Sequence, residues 1–431
     1  MNSLTHRDSK IKQLFKTVGP GLLFASTAIG TSHLVLSTRA GAHHGMIYLA
    51  IIIVTLFVKY PFYEFGTRYA NATGNSLLKA YKDQGTWAIG IFMCIIVMNM
   101  FAVTAAIAAV SAGLLSSMFG LSHIPIPVLA GVIIFVTVSL LLLGGYAGLD
   151  KFIKLISLVL LIVVVIAFIA VLIEGPLEPI DNFQPEPILK GAGLTLLISL
   201  LGWMPSGMEA STMNSIWVLE KIRSEDYHPT LNESLFDFNL GYAFTTVLAV
   251  LFLTIGSYTA FGSGQLLEGN ANEFSNQLLR IFTSHLGSWS YPVIAIAAFG
   301  TIYGTLIAVM DAFSRSFSRA LRVMLFSTIS HNKVQSKFLN RFYKICLLGT
   351  GVGGFLLFYY SASSMIQLLE IATIISFLVA PIIGYFNLKA VTSLAVPFTH
   401  RPPPSMIGLA YIGLTSMVGF ALYYLQSILF N

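Results

Sequence analysis

Two short runs hold most of the residues in this chain that could do chemistry. The first reads Ala28-Ile29-Gly30-Thr31-Ser32-His33, and the second Gly202-Trp203-Met204-Pro205-Ser206-Gly207-Met208-Glu209. Each sets hydroxyls, a titratable group and helix-breaking residues inside an otherwise apolar stretch. The His33 imidazole could bind a transition metal or carry a proton near neutral pH, or sit satisfied by carbonyls in a helix break. Glu209 could neutralise a cation, hold a coupling proton or pair with a structural partner. Met204 offers a soft thioether, although methionine in an apolar helix is more often packing. Asn99 and Tyr303 could line a cavity or hydrogen-bond between helices. His43-His44, expected on a loop at the outer surface, make a weak metal signal. The pairs Asp311/Arg315 and Glu64/Arg68 have the i, i+4 spacing of structural ion pairs. With no nucleotide loop, zinc-hydrolase pair or nucleophile motif, an enzymatic role has little support.

The elements that must position these runs are membrane helices. Of 431 residues, 56% are hydrophobic and only 10% charged, against about 25% charged in a soluble chain. Lipid is therefore the expected solvent. Cys94 and Cys346 both lie in apolar stretches, which disfavours a disulfide framework or a cysteine metal site. A bilayer core needs about 20 apolar residues per helix. On that rule the chain divides into eleven expected spans, the first five near 18–38, 46–66, 86–115, 125–143 and 150–173. The others fall near 192–219, 238–260, 289–314, 342–361, 363–388 and 405–429. With a cytoplasmic N-terminal segment, 1–17, all of the 24 Lys and Arg except Arg39, Lys190 and Arg280 fall on inner segments. That assignment counts Lys59 and Arg68 as inner charges, puts the C-terminus outside, and suits a bacterial inner membrane. The +6 net charge is then an orientation signal and not a nucleic-acid footprint.

Ten helices plus one suggest a five-plus-five inverted repeat, with units 18–173 and 192–388 and an eleventh helix at 405–429. Gly19-Pro20-Gly21-Leu22-Leu23 opens the first unit and Gly191-Ala192-Gly193-Leu194 the second, with Gly30 and Gly202 at the same offset from each opening glycine. The two polar runs thus occupy corresponding helices, the first and the sixth, and are expected to break both. Unwound backbone at that depth frees carbonyls for cations and half-helix N-termini for anionic groups. Simple kinks, with Ser and Thr bonded to the preceding turn, are the plainer alternative.

With these residues in view, the sequence resembles the Nramp family of proton-coupled divalent-metal transporters, which share the LeuT-type fold. The resemblance rests on Gly19-Pro20-Gly21-Leu22-Leu23, Ala40-Gly41-Ala42, the loop Tyr69-Ala70-Asn71-Ala72-Thr73-Gly74-Asn75-Ser76-Leu77, and Met204-Pro205. It implies an all-α polytopic fold, alternating access and coupling to protons, with no cofactor. The family's metal motif is not retained. Against its first-helix Asp-Pro-Gly-Asn this chain reads Gly30-Thr31-Ser32-His33, and against its sixth-helix Met-Pro-His-Asn it reads Met204-Pro205-Ser206-Gly207. Leu378 stands near the place of a tenth-helix glutamine. A divalent ion taken from water needs oxygen ligands and charge compensation, so the missing aspartate weighs most.

The expected site comprises Ile29, Gly30, Thr31, Ser32, His33, Trp203, Met204, Ser206, Gly207, Asn99 and Tyr303. Glu209 and His33 are candidates for proton coupling, and His33 and Met204 for a metal. Three readings follow: a proton-coupled metal-cation importer, a transporter of a small organic solute such as an amino acid or carboxylate, and a non-transporting membrane sensor. The expected partners are the lipid bilayer and a small-molecule or ion substrate, with no nucleic acid.

Overall fold

The computed structural model describes residues 17, 19–144, 146–264, 267, 271–284, 286–326, 333–361 and 365–430, without the side chains of 146–157 and 333. Most of the N-terminal segment 1–17 lies outside the described residues. The chain is helical throughout, and no strand occurs among the described residues. The helices are α1 (Pro20–Ala28), α2 (Thr38–His44), α3 (Ile47–Thr73), α4 (Leu77–Gln84), α5 (Thr86–Phe119), α6 (Ile126–Leu142), α7 (Tyr146–Glu174) and α8 (Gly191–Trp203). They continue as α9 (Ala210–Glu225), α10 (Leu231–Ala260), α11 (Ala271–Thr283), α12 (Tyr291–Leu325), α13 (Lys333–Tyr360), α14 (Met365–Val391) and α15 (Pro404–Phe430). A wider π-helical turn, Ser32–Ser37, joins α1 to α2.

Seven helices are long and apolar enough to cross a membrane among the described residues, and the bent pair α1/α2 adds an eighth if read as one span. This is an integral membrane protein. The remaining expected spans coincide with α6, α7 and the broken pair α8/α9. The first broken helix bends by 46°.

Why the helices start and stop where they do is local chemistry. A capping box opens α10: Glu233 N–H donates to Thr230 Oγ1 at 3.3 Å, and Thr230 N–H donates to the Glu233 carboxylate at 2.8 Å. Gly74 closes α3 in the left-handed region, φ +65°, which a side chain would resist.

Both halves of the first broken helix rest on α10 through glycines. A Cβ on Gly21 would sit 2.0 Å from the Asp237 carbonyl oxygen, and one on Gly241 2.1 Å from the Gly21 carbonyl oxygen. Further along, Cβ atoms on Gly41 and Gly256 would meet the Leu253 and Thr38 carbonyl oxygens at 2.1 and 2.2 Å. Without a hydrophobic drive between helices in lipid, such close backbone approach is what dispersion forces require. The Asp237 carboxylate adds a polar anchor, accepting the N–H groups of Gly19 and Gly21 at 2.9 and 2.7 Å. These are N-terminal donors of α1, which otherwise have no partner within their own helix. In the second broken helix, α8 packs on α14 and α9 on α3, while α5 and α12 complete the surround.

Two expectations change here. His43 and His44 are not on a surface loop. They end α2 and are buried, with the His44 ring stacked on Tyr48 at 4.9 Å. Lys59 and Arg68 are not solvated inner charges either: both are buried along α3. Arg68 pairs with Glu64 and donates to the His400 carbonyl at 2.9 Å, tying α3 to the segment before α15. The other i, i+4 pair also forms, with Arg315 Nε 2.6 Å from Asp311 Oδ2.

The glycine seats are testable. Gly41→Leu or Gly256→Leu forces backbone apart and is expected to cost at least the ~1–3 kcal/mol of overpacking, read as a lower melting temperature and poorer recovery of folded protein. Gly349→Ala on α13, where nothing lies within 4 Å of a Cβ, is expected to be neutral or mildly stabilising. Equal behaviour of the three variants would overturn the close-packing account.

Candidate functional site

The first break follows Ala28, whose carbonyl loses its helical partner. The Ser32 hydroxyl donates to that carbonyl, and His33 Nδ1 lies 2.8 Å from it. His33 Nε2 lies 3.0 Å from the Thr245 carbonyl oxygen of α10. Gly30 must be small, because a Cβ there would stand 2.2 Å from Thr305 Oγ1 of α12.

The second break spans Met204 to Glu209. Its freed carbonyls are taken by Lys59, whose ammonium donates to the oxygens of Leu201, Gly202 and Ser206 at 2.9, 3.3 and 3.4 Å. The Tyr63 hydroxyl, also from α3, donates to the Ser206 carbonyl. Ser32 Oγ lies 3.3 Å from the Pro205 carbonyl, so the two breaks touch. Glu209 stands at the N-terminal boundary of α9, where a carboxylate suits the helix dipole. Asn99 Nδ2 of α5 donates to Glu209 Oε1 at 3.1 Å, while Oε2 is buried with no hydrogen-bond partner. Gly207 makes room for that carboxylate, since a Cβ there would lie 2.4 Å from Oε1. Lys59 and Glu209 are close enough to attract one another electrostatically.

Between the breaks is a cavity of about 50 Å³, walled by α1, α5, α8, α9 and α12. Its polar lining includes Thr31, Ser32, Ser206, Glu209 and Thr305, with Trp203 and hydrocarbon from Val103, Ile107, Met213 and Phe313. Thr31 Oγ1, like Glu209 Oε2, is buried without a hydrogen-bond partner. Trp203 is fixed by α14, its Nε1–H donating to Ser376 Oγ at 2.9 Å.

Of the residues singled out from sequence, Thr31, Ser32, Trp203, Ser206, Gly207 and Glu209 line this cavity. Ile29, Gly30, His33, Met204, Asn99 and Tyr303 are not part of its lining. His33 has both ring nitrogens against backbone carbonyls, Asn99 reaches the site only through Glu209, and Tyr303 stacks on Phe299 at 5.5 Å. Met204 is fully buried at the end of α8. Among the described residues no group of three or more His, Cys, Asp or Glu is disposed to hold a metal ion.

Sequence reasoning missed Lys59, Thr305 and Ser376. Lys59 left a signal, because it lies well inside the apolar run 46–66, and an ionisable group at membrane depth is a functional candidate by default. Thr305 and Ser376 left none, since both also bond back to the preceding turn as Ser and Thr in apolar helices commonly do.

No family model matches the chain. An uncharacterized protein of Pasteurella multocida (strain Pm70) is 33% identical over 417 residues, covering 95% of this chain and 92% of the relative. The chain belongs to that protein's family. Among solved structures it resembles a manganese transporter from Eremococcus coleocola. A point mutant of that transporter matches with a TM-score of 0.66 at 14% identity, over 96% of this chain and 87% of the other. The same transporter bound to an aromatic bis-isothiourea substituted compound matches with a TM-score of 0.66 at 16% identity, over 97% and 88%. At such low identity the likeness establishes a shared fold.

The Asn99–Glu209 contact can be tested apart from any transport assay. Asn99→Leu strips a buried carboxylate of its side-chain donor and is expected to cost about 1–3 kcal/mol of stability. In a Glu209→Met background the same change should cost much less, as a double-mutant cycle on thermal melts would show. An equal cost in both backgrounds would dismiss the pair.

Proposed function

We propose that this protein is a secondary transporter working by alternating access, with its substrate site in the cavity between the two helix breaks. One observation carries the reading: buried, unpartnered polar atoms of both breaks, Thr31 Oγ1 and Glu209 Oε2, belong to residues lining one cavity. Nothing in a purely structural pair of kinks requires this. The likeness to a manganese transporter over nearly the whole chain supports it at the level of fold. The same likeness supports a LeuT-type arrangement of eleven spans, with inverted repeats 18–173 and 192–388. The distribution of Lys and Arg supports a cytoplasmic N-terminus and an external C-terminus in a bacterial inner membrane.

For the cargo, the geometry favours a small organic solute with an N–H or O–H donor for Glu209 Oε2 and an apolar part for the hydrocarbon wall. A divalent cation would need several oxygen ligands and net negative charge. Here the one carboxylate lining the cavity is offset by Lys59, which already takes the carbonyls freed by the second break. The cavity is small, so such a solute enters only when the halves of the broken helices move apart. The second reading, a metal cation, is favoured by the named activity of the structural neighbours. Glu209 carries the coupling proton in either case, being the acidic residue of the lining and held by Asn99.

A thermal-shift screen of metals and small metabolites on purified protein separates the cargo readings, because a ligand of the native state raises its melting temperature by mass action. Stabilisation and uptake of an amine- or hydroxyl-bearing solute in proteoliposomes, with no Mn²⁺ flux, is the expected result. Mn²⁺ flux without any such solute would reverse the assignment. Glu209→Gln is expected to abolish accumulation driven by a proton gradient while leaving the protein folded. Undiminished accumulation would remove Glu209 from coupling.

A further inference from the structure

The second break is arranged around a single positive charge. Three carbonyl oxygens, from Leu201, Gly202 and Ser206, converge on the Lys59 ammonium, which has three N–H donors to give them. The first two belong to the C-terminal end of α8, where the helix dipole favours a cation. Lys59 is 2% exposed. The Tyr63 ring lies 5.8 Å from the ammonium, and the Tyr63 hydroxyl shares the Ser206 carbonyl.

Carbonyls released by an unwound membrane helix are the usual ligands of a free monovalent cation in proteins that bind one. We propose that Leu201, Gly202 and Ser206 form a monovalent-cation site that the protein fills with its own Lys59 ammonium, a tethered ion in place of a dissociable one. Such an ion ties the end of α8 and the break that follows it to α3 permanently, and it makes the fold indifferent to Na⁺ or K⁺. Removing the tether uncovers the site for a small cation from solution. The inference rests on the geometry of the break and not on the transport reading, so the two can fail separately.

The test is a melting experiment on the purified full chain in chloride salts of N-methyl-D-glucamine, Na⁺, K⁺ and methylammonium at one ionic strength. The wild type is expected to melt alike in all four. Lys59→Ala is expected to melt several degrees lower in N-methyl-D-glucamine, and to recover part of that loss, in a concentration-dependent way, with at least one small cation. Lys59→Met, which refills the space with hydrocarbon, is expected to be destabilised and to respond to none. Recovery of folded Lys59→Ala only from cells or buffers containing a small cation is the same positive result. The proposal is overturned if Lys59→Ala responds to the salts no more than the wild type does, or if Lys59→Met melts like the wild type. Failure to recover Lys59→Ala in every salt also counts against it, since a cation able to occupy the site would restore the fold.

Discussion

Hydrocarbon offers no water to a backbone group that has lost its helical partner, so each group freed by a broken membrane helix must be satisfied by the protein itself. That constraint organises the centre of this molecule. The first break meets it with its own side chains: Ser32 donates to the Ala28 carbonyl, and His33 closes against Ala28 and Thr245. The second break borrows from a neighbouring helix, with Lys59 and Tyr63 of α3 covering the carbonyls of Leu201, Gly202 and Ser206. The glycine contacts with α10 and the Asp237 anchor then hold both halves of the first broken helix against one neighbour.

Satisfying the second break with a lysine has an electrostatic consequence. A lone ammonium buried in a low-dielectric interior is expensive, and a lone carboxylate equally so. Lys59 is accommodated by the carbonyl oxygens of Leu201, Gly202 and Ser206, and Glu209 by Asn99 and the N-terminus of α9.

Most of the apolar helices and both breaks were legible in the sequence because they depend on composition along the chain: apolar run length, and glycine, proline and hydroxyl residues in mid-run. Half of the residues singled out from sequence reach the cavity for the same reason. Thr31, Ser32, Trp203, Ser206, Gly207 and Glu209 reach the cavity, whereas His33 and Met204 from the same runs do not. Which residues of an irregular segment face inward depends on backbone angles that no periodicity encodes, as the π-helical turn after Thr31 illustrates. Lys59 was misplaced because counting Lys and Arg treats each as a loop residue. That rule fails when tertiary structure supplies three carbonyls at mid-helix. Ser376 becomes informative only once Trp203 is seen donating to it across a helix interface.

The fold extends almost end to end over a manganese transporter, although only 14–16% of the residues are shared. Scaffold and site follow separate rules: the scaffold is constrained by backbone satisfaction and close helix packing, the site by what it must bind. A helix break survives a change of cargo because its geometry can be stabilised in more than one way, by a bound ion, a bound solute or a side chain. In this chain a side chain does it, with the Lys59 ammonium on the carbonyls of the second break. The cavity between the breaks is therefore framed by backbone that is already satisfied, with Thr31 Oγ1 and Glu209 Oε2 the polar atoms of its lining residues left without a partner.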